Sequence, residues 1–256
     1  MIGAALRVDQ IAKRFEGVVA VSNISFVANA GEVTGLIGPN GSGKTTTMNM
    51  ISGLYAADSG RILLDEKELT RIEPHRIAAL GVARTFQNIR LLADQSVLTN
   101  VLLGTHRSHH ANLAAVLARL RSVGVEERSL IKRCRSLLDE VHIGHLASTA
   151  AADLSYGDRR RVEIARALAS SPRLLLLDEP AAGMNHGEKA RLADLILQIR
   201  RSGITILLVE HDIDLVSKVS DHVVVLNFGR EIAEGTPAKV RSAPAVIEAY
   251  LGREDA

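Results

Sequence analysis

The 256-residue chain holds a single cysteine, Cys134. That excludes an internal disulfide and fits a reducing compartment. Nothing around Cys134 resembles a nucleophile motif, so it is not read as catalytic. No apolar run reaches the roughly 18 to 20 residues that a membrane-spanning helix needs. The opening residues MIGAALRVDQ lack the charged-then-apolar order of a secretory signal, so none is expected. A net charge of +2 is too small to indicate nucleic acid, which calls for clustered Lys and Arg. Internal repeats and low-complexity segments are absent too. A protein of this kind working at a membrane is held there by other chains.

What is present is an ample apolar fraction, 46%, beside an ordinary 23% of charged residues. This suits one large domain, or a core domain carrying an inserted lobe. Short apolar runs alternate with amphipathic stretches, the pattern of an α/β fold. Strands are expected at residues 24–27, 33–37 and 61–64, with a helix over 45–54. The unbroken leucine run from Leu174 to Leu177 has no alternation, as a strand buried on both faces requires. Residues 204–209 repeat that pattern. Between them Leu192, Leu195, Ile196 and Ile199 recur at helical spacing, as a crossover helix should. Residues 223–226 and 231–233 read as a hairpin, and 238–251 as a final helix. From about Asn88 to Asp153 strand signals fade. Leu113, Val116, Leu117 and Leu120, then Leu130, Ile131, Leu137, Leu138 and Val141, describe an inserted helical lobe.

Residues Gly38, Pro39, Asn40, Gly41, Ser42, Gly43, Lys44 and Thr45 match G-x-x-x-x-G-K-[ST] in full, between an expected strand and an expected helix. Thr46 follows in the first turn. In that context the glycines turn backbone N–H groups toward phosphates, and the helix N-terminus adds partial positive charge. Lys44 is expected to reach the β- and γ-phosphates and the Thr45 hydroxyl to ligate Mg²⁺. Asp178 and Glu179 close the leucine strand, and ligands of open α/β sheets bind at such carboxyl ends. Asp178 is expected to hold Mg²⁺ through water, with Glu179 as the general base. His211, after the next buried strand, stands where it could sense the γ-phosphate.

The segment Leu154-Ser155-Tyr156-Gly157-Asp158, together with the phosphate loop and the acids, resembles the signature of ATP-binding-cassette (ABC) transporter ATPases. The resemblance covers essentially the whole chain. It implies a P-loop cassette with an antiparallel β subdomain and an inserted helical subdomain, 88–153, set in a core of 1–87 and 154–256. It also implies that Phe15, whose alternative reading is a buried core residue, stacks on adenine, and that Gln87 is the glutamine joining core to lobe, serving both catalysis and Mg²⁺. Ser155 and the Gly157 N–H would then close over the γ-phosphate of ATP held by a second cassette. Tyr156, Asp158 and Asn185 depart from the family's more usual glycine, glutamine and aspartate.

Within that family the chain looks like the larger ATPase subunit of branched-chain amino acid importers. The carriers of this likeness are Arg84-Thr85-Phe86-Gln87, residues 181–185, Glu210-His211-Asp212 and Ala249-Tyr250-Leu251-Gly252. It implies ATP-driven import at the cytoplasmic face of the membrane, with Mg²⁺ as cofactor. The implied partners are a second ATPase, identical or not, two permeases and, indirectly, an extracytoplasmic substrate-binding protein. Residues 87–92, with apolar Ile89, Leu91 and Leu92, read either as a permease contact or as the packing of the lobe onto the core. Rival readings are a lipopolysaccharide exporter, sharing the run from Arg159 to Leu168, and a urea or amide importer. A non-transport ABC ATPase would need a coiled-coil insertion or a tandem cassette. His106, His109 and His110 read as a solvated loop rather than a metal site, and Arg159-Arg160-Arg161 as a solvated or acid-paired face rather than a nucleic-acid patch.

Overall fold

The computed structural model describes residues 2–108 and 121–251. By packing, the chain forms two compact units, Met1–Gln87 with Arg173–Ala256, and Asn88–Pro172. His109, His110, Leu113, Val116, Leu117, Leu120 and Gly252 lie outside the described residues.

The first unit contains two sheets. Strands β1 (Leu6–Phe15), β2 (Val18–Ala28), β4 (Ser59–Leu64) and β5 (Lys67–Glu68) form an antiparallel sheet in the order β2-β1-β4-β5. Leu6 and Val8, Ile24 and Phe26, and Ile62 and Leu64 are buried at alternate positions, as in a sheet with one covered face. β1 was not anticipated from sequence. Its alternation is broken by a register shift between Val8 and Ile11, where Gln10 adopts φ 49°. The extra residue returns Ile11 to the buried face.

The second sheet runs β10-β9-β3-β8-β7-β6. It comprises β3 (Val33–Ile37), β6 (Val82–Arg84), β7 (Leu174–Asp178), β8 (Thr205–Val209), β9 (His222–Asn227) and β10 (Arg230–Gly235). All neighbours are parallel except the β9–β10 hairpin. β3, β7 and β8 are buried at every position, as their unbroken apolar runs require. Leu36, Leu174, Leu176, Leu207, Val209, Val224 and Leu226 share one core with the antiparallel sheet and with Met48 and Ile51 of helix α1 (Lys44–Ile51). α1 stops before the expected Leu54 because Gly53 takes φ 76°, a left-handed helix ending that favours glycine. Helix α2 (Pro74–Ala79) precedes β6.

The second unit contains helices α3 (Val97–Leu102), α4 (Arg121–Glu140) and α5 (Tyr156–Ala169), with a 3₁₀ turn at Leu103–Ser108. Leu130, Cys134 and Leu138 on α4 are buried at i, i+4 spacing. Residue Asp153 was the expected end of the lobe. The compact unit instead runs to Pro172, because α5 packs on both α3 and α4.

Four more helices complete the described part of the first unit. α6 (His186–Arg201) is the crossover between β7 and β8, and it buries Leu192, Leu195, Ile196 and Ile199. Asn185 caps it in a reciprocal capping box with Glu188, so its local task is to start a helix. α7 (Ile213–Val219) precedes β9. The final helix is split into α8 (Pro237–Arg241) and α9 (Pro244–Leu251). Pro244 has no N–H for a continuing helix, so the chain turns at Ser242 and restarts with proline in the first turn.

Each arginine of the run on α5 is engaged. Arg159 donates to the carbonyls of Leu154 and Ala152, and Arg161 pairs with Asp158 at 2.8 Å. Arg160, wholly buried, pairs with buried Glu163 at 2.8 Å and donates to the Tyr156 hydroxyl at 3.1 Å. Removing one member of a buried pair strands the other charge. Glu163→Ala is expected to cost about 3–5 kcal/mol in urea unfolding, with much of that recovered in the double change Arg160→Met, Glu163→Leu.

Candidate functional site

β3 delivers the chain directly into the glycine loop. Gly38, Gly41 and Gly43 adopt φ of 148°, 77° and 103°, conformations that residues with a Cβ rarely take. A Cβ on Gly38 would also overlap the Leu226 carbonyl, and one on Gly43 would lie 2.7 Å from the Ala20 carbonyl. The Lys44 ammonium sits inside the loop, donating to the carbonyls of Gly38 at 2.7 Å and Pro39 at 2.9 Å. Burial pulls its pKa below the usual lysine range, and the charges of Glu179 and Asp178 oppose that shift. The loop lysine and both strand-end acids therefore share one electrostatic site. The Ser42 hydroxyl is buried in the loop without a hydrogen-bond partner. Thr45 is exposed and Thr46 half-buried on the first turn of α1, while Pro39 is half-buried and Asn40 exposed on the loop.

Asp178 is 3% exposed at the end of β7. Arg84, on the neighbouring edge strand β6, pairs with it at 2.8 Å and also donates to Asn49 and Ser52 at 2.8 Å. Asp178 thus enters the interior with its charge matched and its geometry fixed. Glu179 follows with φ 45°, a strained backbone for a non-glycine residue. Its N–H donates to Val209 on β8 at 2.9 Å. The Gln87 amide donates to the Glu179 carboxylate at 2.9 Å. The oxygens of Thr45, Gln87 and Asp178 are hard donors of the kind Mg²⁺ takes.

His211 follows β8 with its side chain 59% exposed and its Nδ1 3.8 Å from Glu210. Glu210 is completely buried, and its carboxylate accepts the Ala181 N–H at 2.7 Å and the His211 N–H at 3.2 Å. Phe15, read from sequence as an adenine platform or a core residue, is not core. It is 36% exposed, edge-on to Tyr55 at 5.2 Å, with the Lys13 ammonium 5.5 Å from its centroid.

In the helical unit, Ser155 is the N-cap of α5. Its hydroxyl accepts the Asp158 N–H at 3.2 Å and donates to the Asp158 carboxylate at 2.6 Å. Gly157 lies buried in the first turn. Among the described residues no group of three or more His, Cys, Asp or Glu side chains is placed to hold a metal ion, and His106 is exposed.

A glycine loop at a strand–helix junction, with a lysine facing paired acids at the end of the next-but-one parallel strand, defines a P-loop nucleotide site. Comparison narrows the class. A family model described as ABC transporter matches residues 21–182, and one described as branched-chain amino acid ATP-binding cassette transporter matches residues 230–256. The chain is 42% identical over 248 residues to the high-affinity branched-chain amino acid transport ATP-binding protein BraF of Pseudomonas aeruginosa, covering 96% of this chain and 97% of that protein. It is 40% identical over 248 residues to LivG of Escherichia coli, which carries the same functional description, with the same coverage of 96% and 97%. A solved ATP-binding cassette of an ABC transporter in its ADP conformation superimposes with TM-score 0.85 at 35% identity, covering 98% of this chain and 99% of that one. The chain belongs to the ABC transporter family of ATP-binding proteins and is an ATPase of that family.

Sequence reasoning passed over Arg84, Tyr55 and Glu210 as working residues. Arg84 and Glu210 stood out only as family markers. A charge placed on a buried strand beside a strand-end acid was the available signal.

Glu210 also yields a pH prediction. Burial raises its pKa above the usual carboxylate range, against the backbone N–H groups of Ala181 and His211 that favour its charge. The folded state therefore binds this proton more readily than the unfolded chain does, so ionised Glu210 costs stability at neutral pH. That cost is relieved as pH falls through the raised pKa toward 4.5. In thermal melts the wild type should gain on Glu210→Gln as pH is lowered across that window. A wild-type stability relative to Glu210→Gln that stays constant or falls as pH is lowered would contradict the sign.

Proposed function

We propose that this chain is an ATP-hydrolysing subunit of an importer for branched-chain or other hydrophobic amino acids. The observation that carries the chemistry is the meeting of Lys44, Asp178 and Glu179 at one sheet edge. The cargo reading is supported by relatives 42% and 40% identical that are described for branched-chain amino acid transport, and by the matching C-terminal segment.

In this reading the N–H groups of residues 40–46 cradle the phosphates, Lys44 neutralises the β- and γ-phosphates, and Phe15 stacks on the adenine. Thr45, Gln87 and Asp178 would hold Mg²⁺, which would offset phosphate charge. Glu179, oriented by the Gln87 amide, accepts a proton from water as its oxygen attacks the γ-phosphorus. The bond from that phosphorus to the β–γ bridging oxygen breaks, giving ADP and phosphate. His211 contacts the γ-phosphate and registers its loss. Ser155 and Gly157 close over ATP bound to a second cassette, so two nucleotides join two subunits.

The pair works on two permeases at the cytoplasmic face, served from outside by a substrate-binding protein. Among the described residues no helix is long and apolar enough to cross a membrane. Leu92 supports the permease contact. It is 50% exposed, and its backbone is pinned by Asn100, which accepts the Leu92 N–H at 2.8 Å and donates to its carbonyl at 3.0 Å. The leucine is thus presented outward on a fixed loop.

Glu179→Gln should retain ATP binding, form an ATP-dependent dimer in gel filtration, and hydrolyse about 10²- to 10⁴-fold more slowly. Normal turnover would remove Glu179 from the mechanism. Lys44→Ala should lose nucleotide affinity in a fluorescent-ATP titration. After reconstitution with its permeases and binding protein, leucine should stimulate ATP hydrolysis. An absence of response to every branched-chain amino acid would overturn the cargo assignment.

A further inference from the structure

Glu210 is an expensive residue to keep. A fully buried carboxylate is costly unless its lone pairs are met, and an apolar side chain would fill the same space at the end of β8 without that cost. What a carboxylate offers is two acceptor oxygens in fixed relation. Here one oxygen takes the Ala181 N–H at 2.7 Å and the other takes the His211 N–H at 3.2 Å. One side chain therefore grips the turn that follows Glu179 and the backbone of His211 together.

A second tie lies on the other side of His211. Asp212 caps α7 through the Leu215 N–H at 3.0 Å and accepts the Lys189 ammonium at 2.7 Å. Lys189 stands on the first turns of α6, eight positions along the same segment from Ala181. Both acids flanking His211 are anchored to the stretch that leads away from Glu179, while the imidazole itself is left 59% exposed.

We propose that Glu210 is a positioning residue that mounts His211 on the Glu179 segment, so that the base and the γ-phosphate sensor keep one geometry through the hydrolysis cycle. Asp212 with Lys189 is the second fastening. The inference rests on the roles proposed above for Glu179 and His211, and it assigns Glu210 no contact with ATP.

The test is ATP hydrolysis by the purified full-length chain, with single turnovers of radiolabelled ATP so that slow variants stay measurable. Glu210→Gln keeps the shape but only one acceptor oxygen. It should lower kcat roughly tenfold while KM for ATP stays within about twofold. In the Glu210→Gln, His211→Ala pair the loss should match that of His211→Ala alone, because both changes disable one device. An unchanged kcat, or losses that multiply, would overturn the proposal. Should Glu210→Gln fail to fold in a thermal melt, Asp212→Asn decides instead. It must show the same loss confined to kcat and the same non-additivity with His211→Ala, and multiplying losses would again sink the idea. Glu179→Gln separates the two levels. If that variant hydrolyses normally, the role of Glu179 falls. If it is inactive while Glu210→Gln behaves as wild type, only the coupling falls.

Discussion

Charge held out of water at the carboxyl edge of one sheet is the constraint on which the rest of this structure depends. Lys44, Asp178 and Glu210 are 6%, 3% and 0% exposed, and each is met differently. Lys44 is wrapped by loop carbonyls, Asp178 is paired with Arg84, and Glu210 is held by backbone N–H groups. Lone ions in such places would shift protonation or pull water inward. The partners oppose that and fix where each group points. A site preorganised in this way need not reorganise when charge moves during phosphoryl transfer.

The fold supplies that edge through its strand order. β3, β8 and β7 are adjacent and parallel, so the phosphate loop, the His211 segment and the strand-end acids leave the sheet side by side. β6 adds Arg84 next to Asp178, and the chain then reaches Gln87. Residues far apart in the sequence converge because parallel strands release their following loops at one end.

How much of this could be read in advance follows from the range of the interactions involved. The leucine run of β7, the apolar run of β8 and the phosphate loop were legible because burial on both faces and phosphate binding leave local patterns. β1 was not, since a bulge at Gln10 breaks its period. The three residues of β6 are too few to show a period at all. Glu210 was visible only as a residue beside His211, because its function depends on Ala181, far along the chain. The compact helical unit extends past Asp153 to Pro172 for a similar reason. α5 opens within the signature-like segment, yet it packs on α3 and α4.

The signature segment shows how a departure from a family pattern can be absorbed locally and still bear on the proposed reaction. Ser155 has one hydroxyl proton, and Asp158 takes it at 2.6 Å. The same carboxylate also pairs with Arg161, which spreads its charge. For Ser155 to donate to a phosphate oxygen on a second cassette, it must first release Asp158. The incoming phosphate would then approach a carboxylate where the family's more usual glutamine is neutral. Coulomb repulsion between like charges at such range is appreciable even near a surface. In the closure proposed above, Arg161, already paired with Asp158 at 2.8 Å, would be the group that offsets this charge, a demand that a glutamine would not make.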